Sequence, residues 1–259
     1  MRIGIVSDIH EDIIRLREAF SILESHQVDE IICLGDIVGY SVPYYGYLKE
    51  RNANAVVDLI REKCSSVVVG NHDLYATRKI PEHRSFFPYP TNWYELEFSD
   101  REYISRGQIH LYENNELPSL LSRRNLDYLL SLPEYDVKDC GDHKLFLTHY
   151  AFPDCTGSAT TEVRLVENIL EHLDVMAAHD CIYGFSGNDH FEGFQLFTAN
   201  SVIDFTFGRH AILDGPTWVH GPTVSKGTTN NGVMIYEAEH RRLEAIPLNS
   251  PIHVVPLTI

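Results

Sequence analysis

The sequence predicts an α/β fold in which buried, largely parallel strands alternate with helices, followed by further strands that we expect to be antiparallel. Three observations lead to this prediction. Short apolar runs recur along the chain, and most of them end in polar residues. Apolar residues at helical spacing lie between these runs. The last third of the chain changes to short apolar runs separated by Gly, Pro and Asn.

Five apolar runs have the composition of buried strands. They cover residues 3–6, 30–34, 66–69, 144–147 and 181–185. Runs of this kind, separated by helices, favour parallel pairing in a sheet that is covered on both faces. In such folds, side chains that act together lie where strands end and loops begin. We therefore expect the residues that follow these five runs to converge on one place.

Three helices are predicted because apolar residues between the runs recur at intervals of three and four. The first is indicated by Ile13, Leu16, Phe20 and Leu23, the second by Val56, Leu59 and Ile60, and the third by Val166, Ile169, Leu170 and Leu173. A further helix is predicted in LSRRNLDYLLSLPE, where Pro133 should end it.

The chain predicts a single domain over residues 1–259, because it shows no internal repeat, low-complexity tract or Gly/Ser linker. Residues 74–134 are less regular and contain the aromatic cluster FFPYPTNWYELEF. One interpretation is a cap or insertion over the functional site, and the other is a peripheral subdomain without substrate contact. In the last third, FQLFT, VIDFTF, NGVMIYEAE and LEAIPL predict strands that complete a second sheet.

The composition limits the classes of partner. Hydrophobic residues make up 44% of the chain and charged residues 22%, as in ordinary globular proteins. The formal net charge is −16, and no basic stripe is present that could neutralise a nucleic-acid backbone. Large nucleic acids are therefore not expected as substrates. A small phosphate ester remains compatible, because bound divalent cations would reverse the local field.

The sequence also predicts a cytoplasmic protein. No segment approaches the roughly 18 consecutive apolar residues of a membrane helix. The N-terminal MRIGIVSD meets the charge of Asp8 too early for a signal peptide. The five cysteines are scattered without a C-x-x-C pair, which fits a reducing compartment. We expect no membrane partner, and the sequence leaves the oligomeric state open.

Five polar patches follow the predicted strands. They are Asp8-Ile9-His10, Gly35-Asp36-Ile37-Val38-Gly39, Gly70-Asn71-His72-Asp73, Thr148-His149 and Gly187-Asn188-Asp189-His190. Together they offer carboxylate, imidazole and amide groups, which bind hard or borderline divalent cations. Asp8 and His10 should point to the same side of an extended turn, because strand side chains alternate with a period of two. The carboxylate of Asp36 could bridge two cations roughly 3.5–4 Å apart, and the glycines would let the backbone approach closely.

In this order, the patches resemble the calcineurin-like metallophosphoesterase superfamily, whose pattern runs D-x-H, G-D, G-N-H-D/E, H and G-H-x-H. The segments GDIVGY, LSLPE and HGPTVSKGTTNNGVMIYE resemble its small bacterial phosphodiesterase branch. The resemblance covers about residues 1–245 and is weakest over 74–122. It implies an α+β four-layer fold, in which two mixed β-sheets pack as a sandwich flanked by helices.

The resemblance also implies roles for individual residues. Asp8, His10 and His190 would bind the first metal, Asn71 and His149 the second, and Asp36 both. His72 would act as a catalytic residue with Asp36, by donating a proton to the leaving oxygen or by stabilising charge on the phosphoryl group. Its partner would be a carboxylate, with Asp73 as one candidate for the orienting group.

One position departs from the family pattern. G-H-x-H is here G-N-D-H, so Asn188 stands where a histidine ligand of the second metal is expected. Asn188 could bind through its amide oxygen, a water or phosphate oxygen could take its place, or the second site could be partly occupied. An oxygen-rich site favours Mn²⁺ or Mg²⁺ over Zn²⁺. We expect two divalent ions, with Mn first and Fe, Zn, Ni or Mg as alternatives. Gly39 replaces a second acidic residue of the protein phosphatases, which argues against that activity.

The predicted function is metal-dependent hydrolysis of a small phosphate ester, a diester or monoester such as a nucleotide. Two cations would lower the pKa of a bridging water from about 15.7 towards neutrality and supply hydroxide. The alternative is a catalytically weakened metal-binding regulatory protein of the same fold, which Asn188 motivates. A flavodoxin-like binding domain is disfavoured, because the sequence contains no G-x-G-x-x-G or Walker pattern.

Overall fold

A computed structural model describes residues 1–84, 87–161, 169–212 and 214–255. The helices of these ranges are α1 (Ile13–Ser25), α2 (Ala53–Lys63), α3 (Asn71–Thr77), α4 (Phe98–Ser105), α5 (Arg123–Ser131) and α6 (Leu170–Ala178), with short 3-10 helices at Trp93–Glu95 and Ala238–His240. The strands are β1 (Arg2–Val6), β2 (Glu30–Cys33), β3 (Tyr40–Ser41), β4 (Ser66–Val67), β5 (Glu116–Leu117), β6 (Tyr135–Asp139), β7 (Lys144–Thr148), β8 (Cys181–Ser186), β9 (Phe194–Phe197), β10 (Val202–Phe205), β11 (Gly208–Ala211), β12 (Thr217–His220), β13 (Gly232–Glu237) and β14 (Arg242–Pro247).

Two six-stranded mixed sheets form the frame. The first has the order β11-β14-β13-β1-β2-β4. Its strands β1, β2 and β4 are parallel to one another. Strand β13 runs antiparallel to β1, β14 antiparallel to β13, and β11 antiparallel to β14. The second sheet has the order β10-β9-β12-β8-β7-β6, with parallel β7, β8 and β12 and antiparallel edges. Strands β3 and β5 form a separate antiparallel pair.

The sheets pack face to face, and helices cover their outer faces. Side chains alternate between the two faces of each strand, so Ile5 of β1 contacts the inter-sheet core, which also holds Phe185 of β8. The next residue, Val6, belongs to the layer formed with Phe20 of α1. On the far side, Trp218 of β12 packs with residues of α6. The predicted sandwich of two mixed sheets with flanking helices is confirmed.

Polar caps fix where the helices around the first sheet begin. Asp12 precedes α1 and accepts a hydrogen bond from the backbone N–H of Arg15. Asn52 caps α2 and Ser122 caps α5 in the same way. A cap of this kind contributes about 1 kcal/mol of helix stability. Because Asp12 starts α1 directly after the 8–10 patch, that patch is confined to the short loop between β1 and α1.

The five predicted strands are found, although β4 ends at Val67. Val68 and Val69 leave the ladder, but their N–H groups donate to Cys33 O and Pro133 O. Helices α1, α2 and α5 match their predictions, and the third predicted helix is found as α6, which begins at Leu170. Val166, which formed part of that prediction, lies outside the described residues.

The prediction for the last third of the chain was wrong in one respect. Its strands do not all complete the second sheet. Strands β9, β10 and β12 join the second sheet, whereas β11, β13 and β14 extend the first beyond β1. The apolar periodicity of a strand identifies the strand but not its partner, because the partner is chosen by long-range packing.

Within the described ranges, no helix has the length and apolar character needed to cross a bilayer. The cytoplasmic location stays a prediction.

Candidate metal centre

The site forms where the parallel strands end. The loop after β1 carries Asp8 and His10, the loop after β2 carries Asp36, and His149 and His190 follow β7 and β8. The two sheets present these ends side by side, and the backbone N–H groups of Ile9 and His10 both donate to Asp36 O, at 2.8 and 3.0 Å. The predicted convergence of strand ends is therefore present.

The local conformation differs from the expected extended turn. Asp8, His10 and Asp36 have positive φ angles of 55°, 46° and 51°. A non-glycine residue in this region carries strain of about 1–3 kcal/mol and persists only where surrounding contacts enforce it. The argument from strand alternation was therefore wrong for Asp8 and His10. A left-handed turn, and not an extended one, brings the two side chains together.

Asp8, His10 and His190 form one group of potential ligands. The Nε2 atoms of His10 and His190 are 3.2 Å apart. Asp8 Oδ1 is 3.3 Å from His190 Nε2 and 3.9 Å from His10 Nε2. Three donors at such separations, with all their ligand atoms within 4.8 Å of one another, can converge on one cation.

Asp8, Asp36 and His149 form a second such group, and all three are buried. His149 Nε2 is 3.2 Å from Asp36 Oδ2 and 3.8 Å from Asp8 Oδ1. Asp36 Oδ2 is also 3.8 Å from His10 Nε2. Asp36 thus lies between the two groups, as a bridging carboxylate must, and Asp8 is close to both.

Hydrogen bonds orient two of the imidazoles towards the site. His10 Nδ1 is 2.8 Å from Gly39 O, and His149 Nδ1 is 2.7 Å from Leu34 O. A carbonyl oxygen can only accept, so each Nδ1 donates and each Nε2 is the nitrogen that faces the site. Metal-binding histidines are held in this way by a second hydrogen bond.

The buried Asn71 Oδ1 has no hydrogen-bond partner among the described residues. A buried polar atom without a partner costs about 1–3 kcal/mol, so this oxygen is available to a cation. His149 Nε2 is directed at the carboxylates of the site, 3.2 Å from Asp36 Oδ2. The amide nitrogen of Asn71 donates a hydrogen bond to Tyr112 Oη at 2.5 Å, so the amide oxygen Oδ1 is the atom that can bind a cation. The residues present therefore fit a pair of divalent cations.

His72 lies in the first turn of α3 beside Asp36. Its backbone N–H donates to Asp36 Oδ1 at 2.9 Å, and its Nε2 is 3.9 Å from Asp36 Oδ2. Its Nδ1 donates to the carboxylate of Glu116. Glu116 was missed by the sequence analysis, although a carboxylate partner was expected. It belongs to the two-residue strand β5 and carries no motif, so only the fold could reveal it.

Asp73 has a different role from the one considered for it. Its Oδ1 accepts from Val38 N at 3.0 Å and its Oδ2 from Gly70 N at 3.1 Å, which caps α3. Both oxygens are thereby used to tie the helix to the loop after β2. The orienting partner of His72 is Glu116 and not Asp73.

Asn188 is held at the site by its backbone. Its N–H lies 3.1 Å from Asp8 Oδ2, and its side-chain nitrogen donates to Asp189 Oδ1 at 2.7 Å. The side-chain oxygen lies against Gly157, where an added Cβ would collide with it. The role of Asn188 as a ligand stays a prediction.

The charges of the site are strongly coupled. Burial raises the pKa of Asp36, but His149 and His72 outweigh this and hold it at about 2. Burial lowers the pKa of His149, yet the Asp36 and Asp8 carboxylates raise it to about 10. Burial and the neighbouring His72 lower the pKa of His10 to about 3. Without cations, protons on the imidazoles offset the negative charge of the carboxylates. Bound metal ions would replace these protons as the source of positive charge.

A cleft of about 420 Å³ opens beside these residues. Its lining includes Asp36, His72 and His190, and also Leu111 and Tyr112 from the irregular segment 74–134. Part of that segment therefore contacts the site, while its description as a cap stays a prediction.

The chain is similar to known proteins in sequence and in fold. A family model described as calcineurin-like phosphoesterase matches residues 1–184. The uncharacterized protein MJ0912 of Methanocaldococcus jannaschii is 38% identical over 71 residues, which is 27% of this chain and 26% of that protein. The chain thus matches only about a quarter of the length of this relative.

Two solved structures share the fold. A metallophosphoesterase from Sphaerobacter thermophilus has a TM-score of 0.65 and 20% identity, over 97% of this chain and 89% of that chain. The hypothetical protein PH1004 from Pyrococcus horikoshii OT3 has a TM-score of 0.59 and 12% identity, over 96% of this chain and 88% of that one. At these identities the likeness concerns the fold, whereas the family model covers well over half of the sequence. The chain belongs to the calcineurin-like phosphoesterase family.

Proposed function

We propose that the protein hydrolyses a small phosphate ester with the help of two divalent cations. The observation that supports this most strongly is the pair of ligand groups that share Asp8 and meet at Asp36. The buried Asn71 Oδ1, which has no partner among the described residues, supports it independently. In this proposal Asp8, His10 and His190 bind the first cation, His149 and Asn71 the second, and Asp36 both. When bound, the cations acidify coordinated water and offset the charge of the phosphoryl group.

His72 is proposed to donate a proton to the leaving oxygen. In the metal-free protein, burial lowers the pKa of His72, but the carboxylates of Glu116 and Asp36 raise it to about 9, so Glu116 is placed to favour the protonated imidazole. Its Nδ1–H is engaged by Glu116, and its Nε2–H is the proton that faces the site. A positioned proton donor of this kind contributes about 10²–10⁴-fold to a rate.

The cleft supports a small substrate. Its described lining contains no Lys or Arg, so the negative charge of the phosphoryl group would be met by the cations and by His72. Tyr44 and Tyr45 add aromatic surface, which suits the apolar part of an ester or a nucleotide base. The preference for Mn²⁺ rests on an oxygen-rich second site, in which Asn188 takes the place of an expected histidine.

The test is hydrolysis of bis-p-nitrophenyl phosphate and p-nitrophenyl phosphate in the presence of Mn²⁺. Wild type should turn over at least one ester, Asp36→Asn should lose nearly all activity, and His72→Ala should lose about 10²–10⁴-fold. His240→Ala, an exposed change far from the site in sequence, is the control. No turnover of either ester by wild type with Mn²⁺ bound would contradict the proposal and favour the metal-binding regulatory protein.

A further inference from the structure

We propose that the turn 112–116 is a positioning element of the metal centre, in which Tyr112 orients Asn71 and Glu116 orients His72. The inference rests on the proposed function, because it assigns to Asn71 and His72 the roles of cation ligand and proton donor. It concerns a segment whose sequence carries no family motif.

Backbone hydrogen bonds hold the turn together and attach it to β3. The N–H groups of Asn115 and Glu116 both donate to Tyr112 O, at 3.1 and 2.9 Å. The turn leads into β5, where Glu116 is the register partner of Ser41 in β3, and Asn115 O accepts from Val42 N at 2.8 Å. Strand β3 directly follows the loop that carries Asp36, so the turn is fixed to the same loop as the proposed bridging carboxylate.

Tyr112 determines which amide atom of Asn71 is available. Asn71 Nδ2 donates to Tyr112 Oη at 2.5 Å. The oxygen and nitrogen of a carboxamide lie on opposite sides of one carbon, so with Nδ2 on Tyr112 the oxygen is turned away from the hydroxyl. The contact leaves the buried Oδ1, which has no partner among the described residues, as the donor for a cation. The Tyr112 ring also lies 4.5 Å from the ring of His72, centroid to centroid, and limits its movement.

Glu116 determines the orientation of His72. Its side chain is only 2% exposed, and it accepts from His72 Nδ1. This contact leaves Nε2 as the nitrogen 3.9 Å from Asp36 Oδ2. Asn71 and His72 are adjacent in sequence and are proposed to perform different tasks. The two contacts of the turn hold each of them in the conformation that its task requires.

The Tyr112 contact is tested by metal binding, without reference to turnover. Calorimetric titration of metal-free protein with MnCl₂ should show weaker binding at the second site of Tyr112→Phe, by about 10–100-fold, the usual effect of losing a partner of a metal ligand. Phenylalanine keeps the ring packing and removes only the acceptor. Tyr103→Phe, an exposed tyrosine on α4, should bind Mn²⁺ like wild type. Equal affinities of wild type and Tyr112→Phe would overturn this part of the proposal, whether or not the protein is an esterase.

The Glu116 contact is tested by leaving-group dependence with methyl p-nitrophenyl phosphate and dimethyl phosphate. Departure of p-nitrophenolate needs little proton donation, whereas departure of methoxide needs a proton. Glu116→Gln should therefore reduce kcat for methoxide release by about 10-fold more than kcat for p-nitrophenolate release, with Mn²⁺ affinity within about twofold of wild type. Glu102→Gln, an exposed glutamate on α4, is the matched control.

The outcomes separate the two proposals. If wild type hydrolyses these esters and Glu116→Gln lowers both rates equally or not at all, the positioning role of Glu116 is wrong and the proposed function stands. If wild type hydrolyses no ester, the proposed function fails, and with it the Glu116 role, while the Mn²⁺ titration still decides the role of Tyr112. Circular dichroism and thermal melting of each variant confirm that it is folded before either comparison is made.

Discussion

At the scale of single residues, the site depends on carboxylates that are shared. Asp36 Oδ2 lies 3.2 Å from His149 Nε2 and 3.8 Å from His10 Nε2, and Asp8 Oδ1 is close to imidazoles of both groups. Buried carboxylates at this density are stable only with positive charge between them. Protons on histidines supply it in the metal-free state, and bound cations would supply it in the proposed metal-bound state.

Asn188 gives the first prediction at this scale. Its backbone is held by Asp8 at 3.1 Å, so a new side chain at this position would start from the same place. Asn188→His should restore an imidazole donor and tighten the second Mn²⁺ by about tenfold. Calorimetry with MnCl₂ measures this, and Asn200→His, an exposed asparagine in the loop before β10, is the control. Unchanged affinity and stoichiometry in Asn188→His would show that residue 188 is not placed to bind the metal.

At the scale of elements, the loop after β2 must approach α3 closely. Gly39 has a φ of +94°, and a Cβ there would lie 2.6 Å from His72 Cβ. Gly39 is thus required both by its backbone conformation and by the space that the proposed proton donor occupies.

The second prediction uses a matched glycine. Gly39→Ala should lose stability through backbone strain, about 1–3 kcal/mol, and should also lose most turnover because His72 is displaced. Gly141 has a φ of +96° and no atom within 4 Å of an added Cβ, so Gly141→Ala should lose stability alone. Urea unfolding and esterase assays of both variants measure the two effects. Equal turnover in the two variants would contradict the close-approach argument.

The elements also show what could be predicted from sequence. The convergence of Asp8, Asp36, Asn71, His72 and His149 could be predicted, because each follows a buried strand and strand ends meet in a parallel sheet. Glu116 and Tyr112 were not found, because they depend on a two-residue strand whose pairing no local pattern specifies. The partners of β13 and β14 were missed for the same reason.

At the scale of the whole molecule, a buried, neutral histidine packs against the outer face of the second sheet. His172 of α6 is fully buried, packs near Phe146 and Trp218, and its Nδ1 accepts from Phe152 N at 2.9 Å. Burial, with a smaller contribution from His220, lowers the pKa of His172 to about 3. Below pH 6.5 the unfolded chain therefore binds a proton at this residue that the folded protein does not.

The third prediction is that acid destabilises the fold through this residue. The lowered pKa means that its contribution to stability is present above about pH 6.5 and decreases towards pH 3, by about 1.4 kcal/mol per unit. His172→Asn keeps an acceptor for Phe152 N but cannot titrate. Urea unfolding at about pH 7 and about pH 5 measures how much unfolding free energy is lost on acidification. This loss should be about 2 kcal/mol smaller in His172→Asn than in wild type. The exposed His240→Asn is the control, and a loss in His172→Asn as large as in wild type would contradict the assignment.

The sandwich brings together potential metal ligands that are distant in sequence. Asp8 and His190 are separated by 182 positions in the chain, yet Asp8 Oδ1 lies 3.3 Å from His190 Nε2. The most direct test is a crystal structure of the protein with Mn²⁺ and phosphate, with anomalous scattering recorded for the metal. We predict two anomalous peaks about 3.5–4 Å apart, one bound by Asp8, His10 and His190, the other by Asn71 and His149, with Asp36 between them. A single peak, or metal bound away from Asp36, would contradict the account.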